Sequence, residues 1–156
     1  MTITAATGAK IFIGGVNSTR NPTLQDYQED SYVEIGEVEN MGEFGDQSGD
    51  ITFTSLSDSR VRKLKGPRDA GTMPLTVGDD MTDEGQTAMV AAEATPFDYK
   101  FYVQLNDALS LGGEGSKHYF AGKVMSKRRN VGDANSVVRR AFSIGINTEI
   151  LEVEAT

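Results

Sequence analysis

The stretch nearest to a phosphate-binding loop is Gly112-Gly113-Glu114-Gly115-Ser116-Lys117. Such a loop needs two glycines with four residues between them, followed at once by Lys and then Ser or Thr, so that backbone N–H groups converge on the anion. That spacing is absent here, and Glu114 places a carboxylate where a phosphate would sit. The segment reads as a flexible hairpin. Gln47-Ser48-Gly49 is no nucleophile elbow, because it lies among acids without a base. Asp79, Asp80, Asp83 and Glu84 could be imagined around a hard cation, but they lack EF-hand spacing. Acids ahead of a helix are explained by capping and the helix dipole. The chain has one histidine, His118, and no cysteine. This excludes thiolate metal sites, disulfides, cysteine nucleophiles and multi-histidine metal centres, and it argues against a histidine-based triad. His118, beside Tyr119 on an expected strand, reads as structural or surface. No apolar segment surrounds a Glu in a way that would tune it for acid–base work. These residues point to no enzyme and no cofactor.

The elements available to position a site are mostly strands. Lys10–Ile13 is a short strand candidate after a small-residue arm. Residues 14–30 are turn-rich, and residues 40–50 hold three glycines and three acids. Both are expected to be mobile loops. Ser31–Glu39 looks extended. Ile51–Leu56 alternates as a half-buried strand, and Arg60–Pro67 alternates weakly before breaking at Gly66-Pro67. Thr72–Val77 is extended, with Pro74 demoting it to an edge or bulge. One helix is expected over Asp83–Ala94, with Asp83 as N-cap, Gln86 completing a capping box, and Gly85, Ala88, Met89 and Ala92 on one face. Phe97–Leu105, Lys117–Ser126 and Val138–Ile150 are the remaining strands. The expected core is Phe53, Met89, Phe97, Tyr99, Phe101, Val103, Phe142, Ile144 and Ile146. The fold class expected is mainly β: an antiparallel β-sandwich or open barrel with one short flanking α-helix and long loops.

Composition fits one domain with a lean core. Leu, Ile, Val and Phe make up about 22% of the 156 residues, just above the level at which disorder is expected. Net charge is −8, which argues against a general binder of nucleic acid or anionic membrane. No apolar run is long enough to span a bilayer, and no targeting signal is expected. Charge is segregated along the chain. Nine acids and no Lys or Arg lie between Asp26 and Asp50, and five bases and no acid between Arg60 and Arg68. A second basic group comprises Lys123, Lys127, Arg128, Arg129, Arg139 and Arg140. Such segregation is either chance clustering on a solvated surface or two complementary faces that associate head to tail.

The order of elements resembles the major tail tube protein of long-tailed bacteriophages. The resemblance is carried by the acidic segment YVEIGEVENMGEFGDQSGD, the ITFT strand, the short helix opened by DEGQ, and the FDYKFYV strand. A glycine hairpin and the closing strands HYFAGKVMSKRRN and SVVRRAFSIGIN complete it. It spans roughly residues 9–150 and implies a single tail-tube-like domain over 1–156. The immunoglobulin-like extension that some family members carry at the C-terminus is not expected.

The resemblance implies a structural virion protein of the phage tail, made in the host cytoplasm. Its partner would be itself, as hexameric rings stacked head to tail, together with a tape-measure protein and tail-end proteins. DNA would be present only in transit, with no membrane. Four strands from each of six subunits, ~4.8 Å apart, give a bore about 37 Å wide before tilt widens it. A wall of carboxylates would repel DNA rather than hold it. The lumen candidates are Glu34, Glu37, Glu39 and Asp98, with a bulge near Gly36 needed to bring Glu34 and Glu37 to one face. The inter-subunit candidates are Arg60, Arg62, Lys63 and Lys65, meeting acids such as Asp46 and Asp50 of a neighbour. Two other classes stay open: the tube protein of a related contractile secretion system, and a monomeric β-sandwich binding module.

Overall fold

Alternating apolar residues dominate the chain, and they form strands wherever the apolar half can share one interior. The computed structural model describes residues 3–156. The elements are β1 (Lys10–Val16), α1 (Leu24–Gln28), β2 (Val33–Glu34), β3 (Val38–Asn40), β4 (Gln47–Thr54), β5 (Val61–Asp69), β6 (Thr72–Gly78), α2 (Glu84–Glu93), β7 (Tyr99–Gln104), β8 (Lys117–Asn130), β9 (Arg139–Ile146) and β10 (Leu151–Val153). The main sheet is antiparallel, in the order β2-β1-β7-β8-β9-β6-β3, with β10 beside the start of β8. β4 and β5 form a separate two-stranded ribbon.

β2 and β3 lie at opposite ends of the sheet order, yet only residues 35–37 join them. Four Cα steps reach about 14 Å at most. The sheet therefore curls until its two edges nearly meet, giving an open barrel. Ile11, Ile13, Met73, Leu75, Val77, Phe101, Val103, Phe120, Val124, Phe142, Ile144 and Ile146 alternate into its interior. α2 packs against β8, β1 and β2 and adds Met89 and Ala92 to the same core. On the other face of the sheet, Tyr27 of α1 covers Tyr119 and Ala121.

The α2 N-terminus is fixed to the segment that closes the barrel. The Asp83 carboxylate accepts from the amides of Gln86 at 2.9 Å and Gly36 at 3.0 Å. Gln86 does not complete the expected box. Its buried amide instead donates to the carbonyls of Gly36 and Gly78 and accepts from the Asp80 N–H. One side chain thus satisfies three backbone groups where β3, β6 and α2 converge, each otherwise costly to bury.

Several expectations need correction. Phe53 is 60% exposed and Phe97 54% exposed, so neither belongs to the core. Phe97 precedes β7, where strand alternation does not apply, and Phe53 lies on the detached ribbon. Tyr99 is half-buried. Leu24–Gln28 is helical, and Gln47–Asp50 belongs to β4 rather than to a loop. β5 continues through Gly66-Pro67 to Asp69. The last strand expected over Val138–Ile150 is β9 alone and stops at Ile146; β10 is a separate short strand beyond it. Pro74 does sit near an edge: β3 pairs only with Thr76 and Val77, and has ended by that point.

Candidate functional site

The ribbon β4–β5 is a part of the chain that folding leaves uncovered. Apart from its base, it contacts the rest of the molecule only weakly. Its register places Ile51 opposite Leu64 and Phe53 opposite Arg62. Those positions are two apart, so all four side chains share one face. Thr52, Thr54, Val61 and Lys63 occupy the other, with Asp50 opposite Lys65. Ile51, Phe53 and Leu64 are each about half exposed or more, and Leu56 at the tip is fully exposed. Burying a side chain of this size stabilises by about 1.5–3 kcal/mol. An isolated two-stranded ribbon is at best marginal in water. The ribbon holds three large apolar side chains on one face that the single chain leaves exposed.

The ribbon also holds the inter-subunit candidates, but the two signs are not segregated there. Arg62 pairs with Asp58 at 2.6 Å, and Arg68 with Asp46 at 2.9 Å. Asp50 stands in register with Lys65. The Arg60 N–H and the Arg62 side chain hold the Asp58 carboxyl below the usual carboxylate range. Asp46 and Asp50 thus lie beside the bases of their own ribbon, rather than at the far end of the subunit. The acids left on the body and exposed include Glu29, Glu34, Glu37 and Glu43.

Of the lumen candidates, Glu34, Glu37 and Glu39 follow one another along the closing segment, and Asp98 stands apart just before β7. Glu34 and Glu37 are exposed. Glu37 has a φ of 57°, and Gly36 beside it is hydrogen-bonded to Asp83. The chain therefore breaks near Gly36 and resets which way its side chains face. Glu39 is paired with Arg139, and Asp98 with Lys123. His118 packs edge-on to Phe44 and lies 3.5 Å from Glu152. Among the described residues, no three His, Asp or Glu side chains gather as a metal site would require.

Sequence reasoning missed two features. The Thr23 hydroxyl accepts from the Asp26 N–H, and the Asp26 carboxylate accepts from the Thr23 N–H; this reciprocal cap starts α1. The spacing Thr-x-x-Asp was its available signal. The tyrosine cluster on the outer face had no such signal, because it depends on α1 being folded back over β8.

No protein-family model matches the chain, and no curated protein is similar to it in sequence. Solved structures are similar in fold. The SPP1 tail tube, from solid-state NMR and cryo-EM, has a TM-score of 0.67 at 14% identity, covering 97% of this chain and 80% of that one. The chain has the tail-tube fold. The tube-terminating cap of the anti-feeding prophage has a TM-score of 0.68 at 9% identity, covering 99% and 93% of the two chains. A chain of its baseplate has a TM-score of 0.65 at 12% identity, covering 99% and 98%. At such identities the likeness extends to the path of the backbone alone.

Proposed function

We propose that the chain is a structural subunit that assembles with copies of itself into a hollow tube, as hexameric rings stacked head to tail in a phage tail. The observation that carries this reading is the β4–β5 ribbon. Its face of Ile51, Phe53 and Leu64 is uncovered in the single chain, and the tail-tube fold supplies a context in which identical neighbours surround each subunit. On this reading, Arg60, Arg62, Lys63 and Lys65 meet exposed acids of the next subunit, such as Glu29 or Glu43. A heterologous contact of this kind repeats without limit unless it closes. The bore would be lined by carboxylates, Glu34 and Glu37 first, and DNA would pass through it without being held. A tape-measure protein during assembly and tail-end proteins at the tips would be the other partners.

The test is negative-stain microscopy of concentrated protein. Hollow tubes or stacked rings are expected. A strict monomer at every concentration would leave the binding-module reading standing instead. The likeness to the anti-feeding prophage cap and to a chain of a contractile injection system's sheath/tube terminator favours a second reading, a tube of a contractile injection system. Its mark would be binding to a sheath protein.

A further inference from the structure

The two ends of β8 carry unlike surfaces, an apolar knob with acids about it and a cleft lined with bases, too far apart to meet within one chain. At the start of β8, residues 107–116 form a loop that presents two leucines to water: Leu109 is 81% exposed and Leu111 fully so. This loop is held rigidly. Asp107 accepts from the Ser116 N–H at 2.6 Å and from its hydroxyl at 2.8 Å. The Leu109 N–H donates to the Thr156 carbonyl at 3.1 Å, and the Glu114 N–H to the Thr156 hydroxyl at 3.0 Å. A floppy loop could fold its leucines inward. One tied down at both ends holds them outward against the hydrophobic effect. The same end of β8 carries the exposed acids Glu114, Glu152 and Glu154, of which Glu114 pairs with Lys117 at 3.1 Å and Glu152 lies 3.5 Å from His118.

At the far end of β8, a cleft of about 390 Å³ opens between α2 and the β8–β9 hairpin. The exposed Met81 and the half-buried Val90 are its apolar lining, and its rim holds Lys127, Arg128 and Arg129 against one acid, Asp80, with Arg140 buried behind them. Behind the rim, Arg129 and Arg140 share the single carboxylate of Asp79, at 2.9 and 3.0 Å. Lys127 lies 3.6 Å from Glu93. Arg128 has no carboxylate within 4 Å among the described residues, which leaves a local surplus of positive charge.

We propose that the Leu109–Leu111 loop of one copy inserts into the α2/β8 cleft of the next. This rests on the reading of the chain as a self-assembling subunit and names a contact for it. Leu111 fills the space over Met81 and Val90, and Glu114 meets the basic rim. Lys117 and Lys127 are ten residues apart on an extended strand, about 33 Å. With the irregularity between Val124 and Ser126 that is an upper bound, but the knob and its socket lie at opposite ends of the strand, and the contact joins copies head to tail.

The chain's lack of cysteine makes a direct test clean. The double variant Leu111→Cys, Thr87→Cys places one thiol on the loop and one at the cleft wall, both at exposed positions. Mild oxidation of concentrated protein should give a ladder of disulfide-linked oligomers. A mixture of the two single variants should stop at the dimer. A second arm replaces both leucines by serine: the subunit should melt as before, and the concentration needed for assembly should rise at least tenfold. Tubes that form without the ladder, or that assemble normally with both serines, would overturn the contact while sparing the assembly reading. Unaltered protein that stays monomeric at every concentration, with no ladder from the double variant, would overturn both.

Discussion

Gly85, in the first turn of α2, lies against the backbone at Glu34. A β-carbon there would overlap the Glu34 carbonyl oxygen and stand 2.5 Å from the Ile35 α-carbon. In an ordinary helix, alanine stabilises by about 1 kcal/mol over glycine. Here the neighbour is backbone that cannot swing aside, so overpacking wins. Gly85→Ala should destabilise the subunit by about 1–3 kcal/mol in urea unfolding; a gain in stability would show that α2 does not seat on the closing segment.

Two phenylalanines separate what the subunit needs from what an assembly needs. Phe101 is fully buried in the barrel, whereas Phe53 lies on the free ribbon. Phe101→Ala should cost about 3–5 kcal/mol. Phe53→Ala should leave the melting of the single subunit within about 0.5 kcal/mol, yet suppress tube formation by microscopy. Equal melting losses from both would place Phe53 in a core after all.

Reversing Arg62 and Lys63 to Glu tests the charge of the ribbon. Each exposed pair is worth only about 0–1 kcal/mol, but every copy repeats the contact. The expected outcome is folded protein that no longer polymerises. For the unaltered protein, salt should slow growth more than it lowers the melting temperature. Tubes of normal length from the reversed variant would eliminate the basic run as a contact.

Acid should loosen the knob loop before it unfolds the barrel. The Ser116 N–H and hydroxyl hold the Asp107 carboxyl below its ordinary 3.8. Its folded-state value is depressed, so its contribution is complete above 3.8 and is lost as pH falls through the lowered value. The protection factor of the Ser116 amide should therefore drop on acidification. In Asp107→Ala, which removes the acceptor, it should already be low at neutral pH and change little with acid. A pH-independent protection factor in the unaltered chain would count against the assignment.

How far the sequence could be read depended on where each residue's neighbours come from. Phe101, Val103, Phe142, Ile144 and Ile146 alternate along strands whose partners lie in the same chain, and alternation alone placed them inside. Phe53 alternates just as regularly with Thr52 and Thr54. Period two, however, says which face is apolar and not what covers it, and within this chain nothing does. The Asp83 cap was legible because a cap is a local contact. The second half of that motif was not, because Gln86 is claimed by Gly36 and Gly78, 50 and 8 residues away. Among the site candidates, the basic run was legible as a cluster, but its pairing with Asp58, Asp46 and Asp50 follows from the register of the ribbon.

The three-residue link between β2 and β3 has a consequence for the order of folding. Residues 33–40 can pair only when β1 and β6 already stand at the two margins of a curled sheet, and those margins are brought together through strands from across the chain. Contacts so distant in sequence form slowly. This segment should therefore seat last, as a latch. Until it does, the nascent chain displays two unpaired strand margins that invite pairing with other chains. Conditions that delay the latch, such as weakening the Asp83 bond to Gly36, should divert folding into disordered aggregate before any ordered tube can begin.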